Sequence, residues 1–247
     1  MSDTLERDVA IVTGASSGIG AATCRELAAA GANVVLAARS EDRLTDLAAD
    51  LEATHDIETL VVPTNVREED DVDALIEATV EEFGGIDVLV NNAGLARGGE
   101  VESLSTDDYE TMQETNVDGV FYASRAAVPH IREREGRLIF VASFAGKHPR
   151  PGNPVYAATK WWVRGFAKSL AAQIGDDDVG ITIVNPAEVR SEFGAAYGES
   201  FSERFDEGEV TEPEEVAEAI RFAASREGSS VSELDINRRD KFADTFH

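Results

Sequence analysis

A chain of 247 residues with 43% hydrophobic and 28% charged side chains can bury a large α/β core, and this composition excludes a disordered protein. The lone cysteine, Cys24, excludes an internal disulfide or a cysteine-built metal site and, among the small residues of ATCRELAAAGA, reads as a core hydrophobe. A formal net charge of -26, from 48 acidic against 22 basic residues, argues against nucleic acid or an anionic membrane as partner.

No apolar run approaches the ~18 residues of a membrane span, and MSDTLERDVAIV lacks a basic region ahead of an apolar one, so an unexported, cytoplasmic protein is expected. The runs DVAIVTG, ANVVLAAR, ETLVVPT, GIDVLVNNAG, GRLIFVAS and GITIVNPA are apolar nearly end to end, as strands covered on both faces are. Between them Leu44, Leu47, Ala48 and Leu51 recur at helical spacing, as do Val72, Leu75, Ile76, Val80 and Phe83. Such a β-α-β-α succession predicts an α/β fold with a parallel sheet between helices, and no linker or repeat divides residues 1–247 into more than one domain. The acid runs EEDDVD (68–73) and DDD (176–178) lack the spaced carboxylates and turn glycine of a calcium loop and are expected as solvated surface, so no metal site is expected. After Pro186 the pattern loosens to about Val210. Thr211 and Glu214 then suggest a capping box opening a helix through Ser225, followed by a last strand, VSELDI.

The first strand runs into TGASSGIG, where Gly14, Gly18 and Gly20 surround Ser16, Ser17 and Ile19 and a helix begins inside the turn. Backbone N–H groups and a helix N-terminus then meet where a pyrophosphate can sit. An ordinary strand-to-helix turn needs one glycine and not three. The spacing is not GxGxxG, because Thr23 occupies the place of the third glycine. The second strand ends Leu36, Ala37, Ala38, Arg39, Ser40, with no carboxylate until Glu41. An arginine there suits a 2′-phosphate, so NADP(H) is expected over NAD(H), with Arg39 as the main contact and Ser40 or Arg43 as helpers. Pairing of Arg39 with Glu41 or Asp42 would weaken that preference.

TGASSGIG, NNAG (91–94), Asn116, Ser143 and YAATK (156–160), in this order, resemble the short-chain dehydrogenase/reductase family over essentially the whole chain. The resemblance implies a Rossmann-type three-layer αβα sandwich with a seven-stranded parallel sheet, an NAD(P)(H) cofactor, hydride transfer between an alcohol and a carbonyl, and a homotetramer or homodimer. Tyr156 and Lys160 lie one helical turn apart and project from one face. The lysine ammonium is expected to lower the phenol pKa from about 10 and make Tyr156 a general acid or base. Ser143 would hydrogen-bond the substrate oxygen. The resemblance further implies that Lys160 holds the nicotinamide ribose and that Asn116 positions a water in a proton relay ending at Lys160. It also implies cofactor contacts from Asn92, Ala93 and Gly94, with Asn91 near the adenosine, from Asn65 and Val66, and from Pro186 and Val189. Asn65 stands where the family often has aspartate. Ala187 stands where it usually has glycine, a strained choice only if that position needs a positive φ.

The substrate loop is expected at about 188–210. Phe144, His148, Phe193 and Tyr197 could supply apolar walls, and Arg150 or Arg190 could meet a carboxylate. The tail, from TEPEEVAEAI to VSELDINRRD, resembles the branch holding NADP-dependent 3-hydroxy acid and serine dehydrogenases, so a 3-hydroxy acid or another secondary alcohol is the expected substrate. A 3-oxoacyl carrier protein reductase is the alternative. A dehalogenase-type lyase is disfavoured by the intact TGASSGIG, and a non-catalytic dinucleotide sensor by the retention of Tyr156 and Lys160. The acidic balance, with four lysines against eighteen arginines, resembles proteins of salt-accumulating halophiles, whose self-repulsion is screened at ~1 M salt by a Debye length of ~3 Å.

Overall fold

Each apolar run forms a strand: β1 (Val9–Thr13), β2 (Asn33–Ala38), β3 (Thr59–Pro63), β4 (Val88–Asn91), β5 (Arg137–Val141), β6 (Gly180–Pro186) and β7 (Glu233–Ile236). A computed structural model describes residues 4–194 and 199–241. The strands make one sheet in the order β3-β2-β1-β4-β5-β6-β7, and every adjacent pair is parallel. The fold is therefore the expected Rossmann-type α/β sandwich with a seven-stranded parallel sheet.

Side-chain alternation along these strands builds two cores. Ala10, Val12, Val34, Leu36, Val88 and Val90 face one side, where they pack with α1 (Gly18–Ala29), α2 (Glu41–Thr54) and α8 (Pro213–Ala224). Ile11, Val35, Leu89, Leu138 and Phe140 face the other, against α3 (Glu69–Phe83), α5 (Gly119–Glu133) and α6 (Pro154–Ile174). Burial on both faces explains why these runs are apolar nearly throughout. The shorter helices α4 (Thr106–Gln113) and α7 (Phe201–Arg204) lie outside these layers in sequence, flanking the segments that form the cleft. Strand order reverses between β1 and β4, and at such a switch point the carboxyl ends of the strands open a crevice.

Two local expectations change. The capping box of α8 is made by Glu212 and Glu215, with Pro213 in the first turn, so the helix starts one residue later than Thr211 and Glu214 suggested. Thr211 instead forms a bridge with Val189. The acid runs are also more than solvated surface: Asp71 Oδ2 accepts a hydrogen bond from Asn65 N at 2.9 Å, and Asp177 accepts one from Arg132 at 2.7 Å. Cys24 is fully buried, and burial pushes its thiol up to about 12, consistent with an inert core side chain.

Candidate active site

All three glycines of the turn are required. Gly14 and Gly18 have φ of +69° and +51°, the left-handed region that favours glycine. Gly20 has no such φ, but a Cβ there would lie 2.1 Å from the Gly14 carbonyl oxygen. The second asparagine of NNAG locks this turn in place, because Asn92 Nδ2 donates to Thr13 O at 2.8 Å and to Gly14 O at 3.3 Å. Thr13 Oγ1 accepts from Asn92 N and Ala93 N, at 3.0 and 3.1 Å, and donates to Val90 O at 3.2 Å. Thr13 thus stitches the ends of β1 and β4, a role that sequence reasoning missed; its place just before the first glycine was the available signal. Ser17 precedes α1 without capping it through its side chain, so the first-turn N–H groups keep their capacity for an anion.

A cleft of about 620 Å³ runs from this turn across the strand ends, within the range of ligand sites. Gly14, Ser16, Ser17, Gly18, Ile19 and Gly20 form one end, with Arg39, Ser40, Asn65 and Val66 beside them. Asn92, Ala93 and Gly94 line the middle; Ser143, Tyr156, Lys160, Pro186 and Val189 line the other end. Two expected cofactor neighbours lie elsewhere. Asn91 is buried and donates to Ser124 Oγ at 3.3 Å. Arg43 is not in the cleft lining but pairs at 2.9 Å with Glu192, which is.

Tyr156 and Lys160 emerge from the first turns of α6, fixed by Asn153, whose side chain accepts from Tyr156 N at 3.0 Å, and by Pro154 in the first turn. Both side chains are buried. Burial pushes the Tyr156 hydroxyl above its ordinary range, opposed by a hydrogen bond with Ser143 and by the Arg150 charge. Lys160, the cation expected to acidify the phenol, also lies over that ring. Its Nζ stands 6.0 Å from the Tyr156 ring centroid and donates to Val141 O at 2.9 Å, whereas the Arg150 guanidinium lies 5.2 Å above that ring. Burial lowers Lys160 itself from 10.5 to about 8. Ser143 Oγ also accepts from Ala145 N at 3.1 Å.

Asn116 lies behind the cleft wall, in a π-turn over Glu114–Asp118 that joins α4 to α5. Its Oδ1 accepts from Leu95 N at 2.8 Å, and its Nδ2 donates to Leu95 O at 2.7 Å and Thr159 Oγ1 at 3.0 Å. With its amide donors so engaged, the side chain ties the loop after β4 to α6. A Cβ on Gly94 would sit 3.2 Å from Lys160 Nζ and 3.3 Å from Asn116 Oδ1, so a side chain there would press on both groups.

Of the expected substrate walls, Phe144 and Phe193 line the cleft, and so does Arg150. His148 does not; it is exposed and stacks on Phe144 with ring centroids 4.1 Å apart. Arg190 does not either, because Glu212 holds its Nε at 2.9 Å from both carboxylate oxygens. Tyr197 lies outside the described residues. Ala187 lacks a positive φ, and its N donates to Ile236 O at 2.9 Å, so alanine is unstrained there. Lys241 enters the lining from the tail, paired with Glu188 at 2.5 Å and lying 5.0 Å over the Phe144 ring. No local motif signals that contact, which spans 53 residues of chain.

The residues present fit a dinucleotide: a backbone cradle that any Cβ at Gly14 or Gly20 would crowd, beside an arginine free to meet a phosphate. A parallel sheet with this crevice, and a serine, tyrosine and lysine at its far end, defines a nicotinamide-dependent oxidoreductase. The family model described as short chain dehydrogenase matches residues 8–200, and the chain belongs to the short-chain dehydrogenase/reductase family. It is 34% identical over 238 residues to trans-4-hydroxycyclohexanecarboxylate dehydrogenase of Sinomonas cyclohexanicum, covering 94% of this chain and 91% of that one. Among solved structures, an alcohol dehydrogenase from Thermococcus sibiricus, complexed with 5-hydroxy-NADP, superposes with a TM-score of 0.86 at 30% identity over 94% and 97% of the two chains. A 3-ketoacyl-(acyl-carrier-protein) reductase from Brucella melitensis, complexed with NADH, gives 0.85 at 30% identity over 95% and 98%. The protein is thus an NAD(P)-dependent dehydrogenase/reductase that interconverts an alcohol and a carbonyl (EC 1.1.1.-). Among the described residues no helix is long and apolar enough to cross a membrane.

Proposed function

We propose that the protein is an NADP(H)-preferring, cytoplasmic oxidoreductase that interconverts ketones and secondary alcohols, acting as one domain with a substrate loop at about 188 to 210. The observation that carries this reading is the convergence of buried Ser143, Tyr156 and Lys160 on the same cleft that the glycine turn lines. The dinucleotide, when bound, supplies the hydride to the carbonyl carbon. Tyr156 donates its proton to the carbonyl oxygen, and Ser143 Oγ holds that oxygen as charge develops on it. Lys160, at about 8, can return a proton to Tyr156 at physiological pH. Asn116 acts as a positioning residue, holding Leu95 and Thr159 around that lysine.

Preference for NADP(H) is supported by Arg39, which lines the cleft and has no carboxylate within ion-pair distance among the described residues. NAD(H) remains the second cofactor. The secondary-alcohol class is supported by the Sinomonas relative's name and by the apolar Phe144 and Phe193 walls. The 3-ketoacyl reductase neighbour supports the alternative acyl substrate. Exposed Phe121, Trp161 and Trp162 on α5 and α6, with Trp162 stacked on Phe166 at 4.9 Å, support self-association to a homodimer or homotetramer. The charge of -26 supports a fold that needs salt, as in halophiles.

The test follows NADPH and NADH oxidation with a panel of ketones in about 1 M salt, for the native chain and Tyr156→Phe. Phenylalanine keeps the ring that packs 5.7 Å from Phe193, so NADPH binding should survive while turnover falls ~10²–10⁴-fold. Unchanged turnover would remove Tyr156 from proton transfer.

A further inference from the structure

Six cationic side chains line the cleft: Arg39, Arg67, Arg97, Arg150, Lys160 and Lys241. Three are already committed to carboxylates, Arg67 to Glu114, Arg97 to Asp108 at 3.5 Å and Lys241 to Glu188 at 2.5 Å. Lys160 is buried and bound to the Val141 carbonyl. Two arginines are left without a carboxylate partner among the described residues. Arg39 stands at the glycine-turn end of the cleft, where a 2′-phosphate would lie. Arg150 stands at the opposite end.

The guanidinium of Arg150 lies 5.2 Å above the Tyr156 ring centroid, a cation–π contact that keeps it beside the reacting hydroxyl. Pro149 and Pro151 flank it and restrict the backbone that carries it. The contact with the ring does not use the guanidinium N–H donors, which stay available to a planar anion. The acid whose own charge Arg150 affects, Glu188, is occupied by Lys241.

We propose that Arg150 sets substrate specificity by receiving the carboxylate of an oxo or hydroxy acid whose carbonyl or hydroxyl oxygen meets Ser143 and Tyr156. The inference rests on the ketone–alcohol reading above. The bond it adds is a charge-assisted one, with the fork of the guanidinium matched to two carboxylate oxygens.

The test compares 4-oxopentanoate and 4-oxocyclohexanecarboxylate with their methyl esters, using NADPH, in the native enzyme, Arg150→Met and Arg150→Lys. A second arm titrates 4-hydroxypentanoate calorimetrically into the NADPH-loaded protein, a pair that cannot react. The native enzyme should favour each acid over its ester. Arg150→Met should lower the acid-to-ester ratio of kcat/KM at least about tenfold, chiefly through KM, and weaken 4-hydroxypentanoate binding by a similar factor. Arg150→Lys should recover part of both, as a point charge without the fork. Equal loss on acid and ester would make Arg150 a modulator of Tyr156 and overturn the inference, as would a native ratio near one, while ester reduction left the redox reading intact. Arg150-dependent binding of the hydroxy acid without NADPH oxidation by any carbonyl would uphold the anion site and overturn the redox reading.

Discussion

The two ends of the cleft are built differently. The glycine-turn end is made of backbone: two left-handed glycines, a third with no room for a Cβ, and an α1 N-terminus without a side-chain cap. The far end is made of side chains brought together from β5 and its following loop, α6 and the tail: Ser143, Arg150, Tyr156, Lys160 and Lys241. A backbone cradle is a local property of consecutive residues, whereas protonation at the far end is set by burial and by neighbours distant in sequence. The pairing of Tyr156 with Lys160 illustrates this. Their spacing is visible in YAATK, but the cation nearest the phenol ring is Arg150, six residues upstream in a proline-flanked loop.

The largest effect that sharpens this contrast is expected from Lys160→Met. If Lys160 recharges Tyr156, turnover should fall about 100-fold or more. Stability should move the other way. The folded-state pKa of Lys160, about 8, lies below its ordinary 10.5, so the folded chain binds the proton less well than the unfolded one. Stability then rises with pH between about 8 and 10.5, and the full penalty of the buried charge persists below 8. Removing that charge should keep or raise Tm at pH 7 without dinucleotide, and should flatten the rise toward pH 10. A fall in Tm of more than about 3 °C, roughly 1 kcal/mol for a chain of this size, would mean that the lysine is needed for the fold.

At the other end, Gly20→Ala should act through sterics alone. Its Cβ would meet Gly14 O at 2.1 Å and Asn92 Nδ2 at 2.7 Å, so either the turn opens or the Asn92 clamp breaks. Overpacking of this kind costs about 1–3 kcal/mol, or a Tm loss of roughly 2–10 °C. NADPH affinity, followed by fluorescence titration, should fall with it. Retention of both would show that the turn has slack that a shared backbone does not suggest.

This division explains what the sequence made legible. The seven strands, the two-sided burial of the five central ones and the glycine turn follow from periodicity and from residues a few positions apart, and each appears where its run predicted. The start of α8 slipped by one residue because Glu212 can cap a helix as Thr211 can, and Thr211 was claimed by a bridge to Val189. Apart from Asn91, which is buried against Ser124, the site assignments that failed were choices among surface charges and rings. Arg43 went to Glu192, Arg190 to Glu212, and His148 to the outer face of Phe144. In a chain with 48 acidic residues an arginine finds a carboxylate easily, and which one it finds depends on tertiary neighbours that no spacing encodes.

Arg39→Ala gives the smallest and most specific effect. Arg39 is exposed at the end of β2 and neither Glu41 nor Asp42 pairs with it among the described contacts, so its charge is available to a 2′-phosphate but is also screened by water. A charge-assisted bond at such a site is worth about 1.4 kcal/mol, which predicts a rise of about tenfold in KM for NADPH and less than about twofold for NADH. Because the contact is solvated, the discrimination should shrink as salt rises from about 0.1 to 1 M and the Debye length falls from about 10 to 3 Å. The effect of Gly20→Ala, being steric, should not depend on salt in this way. Equal effects of Arg39→Ala on the two cofactors would remove the arginine as a reader of phosphate and leave the backbone cradle as the whole of the recognition at this end.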